Sequence, residues 1–245
     1  MMRASRVLVT AAVLAGVLCP AAPVSAQQLP AIAEKIAKAY GLDSFGQIDA
    51  IRYTFNIDVG AGKFKQSRSW VWEPKADRIS YDGKDKAGIP VKITYLRSEL
   101  ATQSAFVKEE VDPAFFNDQY WLLLPFHLVW DTGATVQDAG MQKLPLGKGS
   151  ARKVVLKYPS NGGYTPGDTW ELYVGTDDRI RDFVFRHGGS TKPSLVISTW
   201  AKYKKAGPLL FSLDHRGTAD GAPLRVFFSN VAVKLVGSSS WIEAH

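Results

Sequence analysis

From Ile51 to Val59, apolar and polar side chains alternate without a break: Ile51, Tyr53, Phe55, Ile57 and Val59 against Arg52, Thr54, Asn56 and Asp58. A period of two places all five apolar side chains on one face of a strand. Gly60-Ala61-Gly62 reads as a turn, and the next strand, about Lys63 to Glu73, carries Phe64, Gln66, Arg68, Trp70 and Trp72 on one face. Further strands are predicted over Arg78 to Tyr81, Val91 to Arg97 and Gln103 to Lys108. A second series follows over Arg152 to Tyr158, Asp168 to Val174, Ile180 to Arg186, Ser194 to Tyr203, Pro208 to Arg216 and Leu224 to Val236. Gly162-Gly163, Thr176-Asp177-Asp178, Gly188-Gly189 and Ala219-Asp220-Gly221 separate members of this series, so the sheet is expected to be antiparallel and ordered mostly by sequence neighbours.

Two segments break the two-residue period. Ile32, Ala33, Ile36, Ala37 and Tyr40 recur at helical spacing and stop at Gly41. From Asp112 to Trp130 the alternation is lost, and Asp112-Pro113 is a good helix start. Phe115, Phe116, Tyr120, Leu123 and Leu124 then line one side of a helical or lid-like insertion.

About eleven strands with one consistently apolar face cannot stay flat in water. The predicted fold is mainly β: an open, unclosed antiparallel β-barrel with a few covering helices, forming a single domain over residues 27–245. A barrel of this many strands exceeds the roughly eight whose side chains fill the interior, which favours a cavity, less strongly if a helix plugs it.

The first 26 residues change the picture of the rest. Arg3 and Arg6, the apolar run Val7 to Leu18 and the small residues ending Val24-Ser25-Ala26 read as a signal peptide cleaved after Ala26, which predicts a periplasmic protein. Cys19, the chain's single cysteine, lies inside that leader. Leu18 before it argues against lipoprotein processing, which takes a small residue there. Cleavage of 26 of the 245 residues leaves 219 with no cysteine, so no disulfide can form and burial alone must hold the fold. At 46% hydrophobic and 22% charged residues the composition excludes a disordered chain. The apolar stretch Trp121 to Trp130, interrupted by Pro125 and His127, is too short to span a membrane. The leader carries two positive charges and no acid, so the formal charge of +7 falls to +5. Acids and bases interleave along the chain, which fits a solvated surface rather than nucleic-acid binding and leaves transient contact with anionic lipid headgroups open.

Trp70-Val71-Trp72-Glu73-Pro74 running into Arg78-Ile79-Ser80-Tyr81-Asp82-Gly83-Lys84, together with Trp200-Ala201-Lys202-Tyr203-Lys204 and Pro208-Leu209-Leu210-Phe211-Ser212, resembles the periplasmic lipoprotein carriers of the LolA/LolB-like superfamily over most of residues 29–236. The resemblance implies an unclosed barrel, helices as a lid and an apolar cavity that receives acyl chains. It also implies an arginine immediately before the second-strand proline that helps latch the lid. Glu73 stands there instead, which separates lipoprotein carriage from the fold.

Trp70, Trp72 and Phe64 could line such a cavity, because aromatic side chains tolerate flexible apolar ligands; ordinary core packing is the alternative for each. With Tyr53 and Phe55 of the preceding strand, Tyr81, Ile93 and Tyr95 of the following two, and Phe116 and Phe126 of the insertion, they make the expected ligand-lining set. Arg68 belongs to the same face. A buried guanidinium needs a carboxylate or a ligand headgroup, unless this end of the strand runs past the cover into water, which is the favoured reading. His127 in its apolar setting reads as a hydrogen-bonded structural histidine before a base or gate. Ser212, Asp214 and His215 have the residue types of a hydrolase triad but sit too close along one strand to converge. Asp177-Asp178 reads as a turn, and the sequence carries no metal or phosphate motif and no cofactor signal.

The function these features favour is a non-enzymatic carrier whose partner is a lipid or acylated protein. An enzyme on the same scaffold is the alternative, favoured if Arg68, Glu73 or His127 converge in the cavity. A third reading is a module that pairs its open edges with an envelope protein, favoured by an interior filled with the protein's own side chains. The exported protein is expected to begin at Gln27; an intact mass showing a lipid-modified start at Cys19 would contradict free diffusion.

Overall fold

A computed structural model describes residues 29–188 and 194–245. The predicted leader and Gly189 of the Gly188-Gly189 turn lie outside the described residues. Helix α1 (Ala31–Ala39) buries Ala33, Ile36 and Ala37 and ends at Gly41, whose φ of +105° and close approach to the Pro208 carbonyl leave no room for a side chain. Strands β1 (Ile48–Val59), β2 (Phe64–Glu73), β3 (Arg78–Lys84) and β4 (Pro90–Leu96) then form a meander.

The strand predicted over Gln103 to Lys108 is not formed. A 3-10 segment at Arg97–Thr102 gives way to a π-turn at Val107–Val111, which runs directly into helix α2 (Asp112–Trp130). Ser104 explains the difference: its hydroxyl accepts the Val107 N–H at 3.3 Å and its carbonyl accepts the Lys108 N–H at 3.1 Å, which starts the helical path well before Asp112.

The remaining strands are β5 (Thr135–Lys143), β6 (Ser150–Lys157), β7 (Thr169–Val174), β8 (Ile180–Arg186), β9 (Leu195–Thr199), β10 (Ala201–Ala206), β11 (Leu209–Ala219), β12 (Ala222–Leu235) and β13 (Trp241–Glu243). All pairings are antiparallel, in the order β4-β3-β2-β1-β12-β11-β9-β8-β7-β6-β5, with β10 on β11 and β13 on β12. Among the described residues the sheet has thirteen strands rather than about eleven. The predicted strand Ser194 to Tyr203 is two, broken at Trp200, with Lys202 at φ +56° near the start of β10. Strand β5 escapes the sequence pattern because it is an edge strand with Val136 its one buried residue.

The sheet is open, as expected, and its two free edges are β4 and β5. Helix α2 is the chain that joins them. It does not bury one side only. Asp112, Phe115 and every residue from Asp118 to Leu128 are buried, so from Asp118 onward the helix is enclosed on all sides by the concave face and its covers. The cavity expected inside the barrel is therefore filled by α2. No helix among the described residues is long and apolar enough to cross a membrane.

Pro125 has no N–H, which deprives the Trp121 carbonyl four residues earlier of its helical partner. His215 of β11 supplies one: its Nε2 lies 3.0 Å from the Trp121 oxygen, and Nδ1 lies 3.2 Å from the Thr199 carbonyl. The ring is fully buried, and burial holds its pKa down at about 4. Unfolding exposes an imidazole that takes up a proton below its ordinary value of 6.5, so this contribution to stability is present above pH 6.5 and is lost as pH falls toward 4. Urea unfolding is expected to show the wild type losing about 2 kcal/mol more than His215→Gln between pH 7 and pH 4.5. A pH-independent difference between the two would contradict a buried neutral ring.

Candidate functional site: the plugged concave face

Helix α2 carries Asp112 and Asp118 inside the barrel, and Asp131 follows its last turn. Asp118 is fully buried. It accepts a bidentate contact from Arg68 of β2, with Nε to Oδ2 at 2.7 Å, and the Trp70 indole N–H at 2.8 Å; Asn117 Nδ2 donates to its other oxygen at 3.0 Å. Burial pushes the Asp118 carboxyl above the ordinary carboxylate range, against the pull of the Arg68 guanidinium and the indole and amide N–H groups. Burial also acts against the Arg68 charge, but Asp118 overcomes it and holds the guanidinium above its usual range.

Asp112 accepts the Tyr95 hydroxyl at 2.8 Å and the Tyr164 hydroxyl, and Arg97 Nε stands 3.6 Å away. The Tyr164 ring stacks on Phe116 at 4.2 Å, with the Arg97 guanidinium 4.4 Å from the Phe116 centroid. The segment between β6 and β7 is thereby strapped over the start of α2. Asp131 accepts Tyr120 at 2.7 Å and Tyr158 at 2.6 Å, and His127 Nδ1 lies 3.1 Å away. Burial alone would raise Asp131; these donors outweigh it and hold the carboxyl below its ordinary value. Three carboxylates thus tie a largely apolar helix to β2, to β4 and to the β6–β7 segment.

The expected lining residues meet α2 rather than empty space. Trp70 and Trp72 pack edge-on against Phe115 at 5.4 and 6.1 Å, and Trp72 also meets Trp130 at 6.4 Å. Phe126 stacks on Trp130 at 5.2 Å. Tyr53, Phe55, Tyr81 and Tyr95 are buried in the same core, with Ile93 half-buried beside it. Phe64 is 52% exposed, so the strand does run into water at that end. Arg68 does not follow it there: its side chain is 11% exposed and paired, which corrects the solvent reading.

The sequence reading missed Asp112, Asp118 and Asp131 as a set. Their signal was three acids punctuating a strongly apolar segment. Glu73, at the position of the expected latch arginine, pairs with Arg78 on the neighbouring strand and takes no part in holding α2.

Two spaces remain beside α2. One, of about 330 Å³, lies between Gln66, Arg68 and Lys84 on the sheet and Phe106, Glu110 and Ala114 of the helical segment. The other, of about 290 Å³, lies between Asn117 and Trp121 of α2 and Trp170, Phe185 and Val196 of the sheet. A larger groove of about 570 Å³ crosses the opposite face of β1–β4, where Thr54 bonds Ser69 and Ser80 bonds Thr94. It is shallow, and its lining mixes these hydroxyls with Val71 and Ile93 and the charged Arg52, Asp82 and Lys92.

No protein-family model and no curated protein matches the sequence. Among solved structures, the chain is similar to a DUF1329 family protein from Desulfovibrio piger, at 10% identity over 86% of this chain and 95% of that one, with a TM-score of 0.45. It is also similar to the LolA superfamily protein NE2245 from Nitrosomonas europaea, at 9% identity over 83% and 92% with a TM-score of 0.45. A third is the Mycobacterium tuberculosis lipoprotein LppX, at 11% identity over 82% and 95% with a TM-score of 0.30. Such distant likenesses carry no functional inference for this chain.

The other candidates stay apart. His127 stacks on Tyr120 at 4.0 Å and closes the last turn through Asp131. The Ser212 hydroxyl donates to the Ala201 carbonyl, Asp214 binds Arg216 and Arg225, and His215 faces α2, so these three do not form a triad. Asp177 pairs with Arg181 across its turn. Among the described residues no three His, Cys, Asp or Glu side chains converge as a metal site.

Proposed function

We propose that the protein is an exported, non-enzymatic carrier that holds an acyl chain or another apolar ligand against the concave face of the open sheet, with α2 as the movable element covering that face. The observation that carries this reading is the nature of the filling. The interior is occupied by one helix that connects the two free edges and is tied down by ionic and hydroxyl contacts, not by interlocking sheet side chains alone. Trp121, Leu122, Leu123, Leu124, Phe126 and Leu128 are all buried, each contributing about 1.5–3 kcal/mol, and an acyl chain offers the same sheet about 0.8 kcal/mol per methylene. The sheet can thus exchange one apolar occupant for another with modest net change. A lipid or an acylated protein is the partner this chemistry fits, and the basic surface of the mature chain suits transient contact with a membrane carrying anionic headgroups.

The enzyme reading loses support because Arg68, Glu73 and His127 go to separate partners. A filled interior with free β4 and β5 edges favours a second reading, a module that pairs those edges with an envelope protein. Uptake of a fluorescent fatty acid separates the two. Asp118→Asn leaves Arg68 buried without a counter-charge, a defect of about 3–5 kcal/mol, and is expected to loosen α2 and raise uptake above wild type. The pair Arg68→Met with Asp118→Leu removes both charges, keeps stability near wild type and is expected to lower uptake. No uptake by any of the three proteins would contradict the carrier reading and leave the edge-pairing one.

A further inference from the structure

The cleft of about 290 Å³ beside α2 has an apolar floor, with His187 and Asp168 side by side in its lining. Its floor is Ile57, Trp121, Trp170, Phe185 and Val196, contributed by β1, α2 and three strands of the second half of the sheet. Pro113, Asn117 and Trp121 line it at spacings of four residues, so it runs along one face of α2, where the helix stands away from the sheet. Phe185 is the last inward residue of β8 before the rim. His187 follows it at the two-residue spacing of the same face, with the ring centroids 6.0 Å apart.

The chemistry of His187 is set by Asp168. That carboxylate is 4% exposed; its Oδ1 lies 2.9 Å from His187 Nδ1 and accepts the Gly188 N–H at 2.7 Å. An ionised carboxylate only accepts, so the shared proton sits on Nδ1, and Nε2 is the ring's second site. Of the other polar side chains on the cleft, Tyr120 and Tyr164 have their hydroxyls committed to Asp131 and Asp112, Asn117 donates to Asp118, and Thr165 bonds the Tyr120 hydroxyl. Among the described residues the buried Trp170 indole N–H finds no partner.

We propose, resting on the carrier reading, that this cleft, widening as α2 shifts from the sheet, takes a single acyl chain that ends in a free carboxylic acid, with the acid placed at His187. At neutral pH the acid arrives as its carboxylate, so the proton that bridges it to Nε2 is taken up from water on binding, and the ring's other N–H is held by Asp168. An ester or amide of the same chain has no carboxylate to share that proton. The site therefore selects fatty acids over the acyl esters of intact lipids, whereas a purely apolar cleft treats the two alike.

The test compares cis-parinaric acid with its methyl ester, titrated by fluorescence into wild type, His187→Leu and Asp168→Asn at neutral pH. The acid is expected to bind wild type at least tenfold more tightly than the ester, since a hydrogen bond to a charged group contributes about 1.5–3 kcal/mol. His187→Leu brings the acid down to the affinity of the ester, and Asp168→Asn, which keeps an acceptor for Nδ1–H but removes the charge, narrows the gap. Equal binding of acid and ester by wild type, or a preference that survives in His187→Leu, overturns the assignment while leaving the carrier reading in place. Binding of neither probe by wild type overturns both.

Discussion

The buried ion pair between Asp118 and Arg68 decides what occupies the concave face. A carboxylate at the centre of an apolar helix can enter the barrel only if a cation meets it there, and Arg68 can lie on the inner face of β2 only if an anion covers it. Each is the reason the other is tolerated. The bidentate geometry, with the Trp70 indole on the same oxygen, fixes the rotation and depth of α2 against β2. The aromatic contacts of Phe115, Trp72 and Trp130 follow from that placement.

Topology explains why, among the described residues, this helix fills most of the space. Strands β4 and β5 are the free edges, and the segment between them in sequence must cross the opening. A crossing segment with an apolar surface is drawn inside by burial. The price is paid at Pro125 and at the acids, and each is met by a specific partner: His215 for the orphaned Trp121 carbonyl, Arg68 for Asp118, Tyr95 and Tyr164 for Asp112. Buried ionic contacts of this kind add little net stability compared with apolar packing, but they define one seated position sharply. On the proposed carrier reading, a cover that must leave and return to the same place needs that property more than it needs extra affinity.

Much of the sheet was legible in the sequence, because alternation reports directly which side chains share a face. Strands β1 to β4, β6 to β8, β11 and β12 follow from it, as do helix α1 and its stop at Gly41. Edge strands β5 and β13 carry too few buried residues to leave the same trace. The contents of the barrel were less legible. Periodicity identifies an apolar face but not what covers it, and the Asp112 to Trp130 segment lacks a clear polar side because from Asp118 to Leu128 every residue is buried. Arg68 was visible as a cation in need of a carboxylate; that its partner is Asp118, fifty residues later, depends on how the crossing helix is threaded. The His187–Asp168 pair leaves no sequence signal, since the two residues meet only through the pairing of β7 with β8.

Amide hydrogen exchange across Asp112 to Trp130, with and without a saturating fatty acid, tests most directly whether α2 is a cover or a permanent core. Displacement predicts faster exchange along α2 on binding, greatest in the turns nearest Asn117, while the central strands β1 and β12 stay protected. Unchanged or slower exchange along α2 with the fatty acid bound would contradict it.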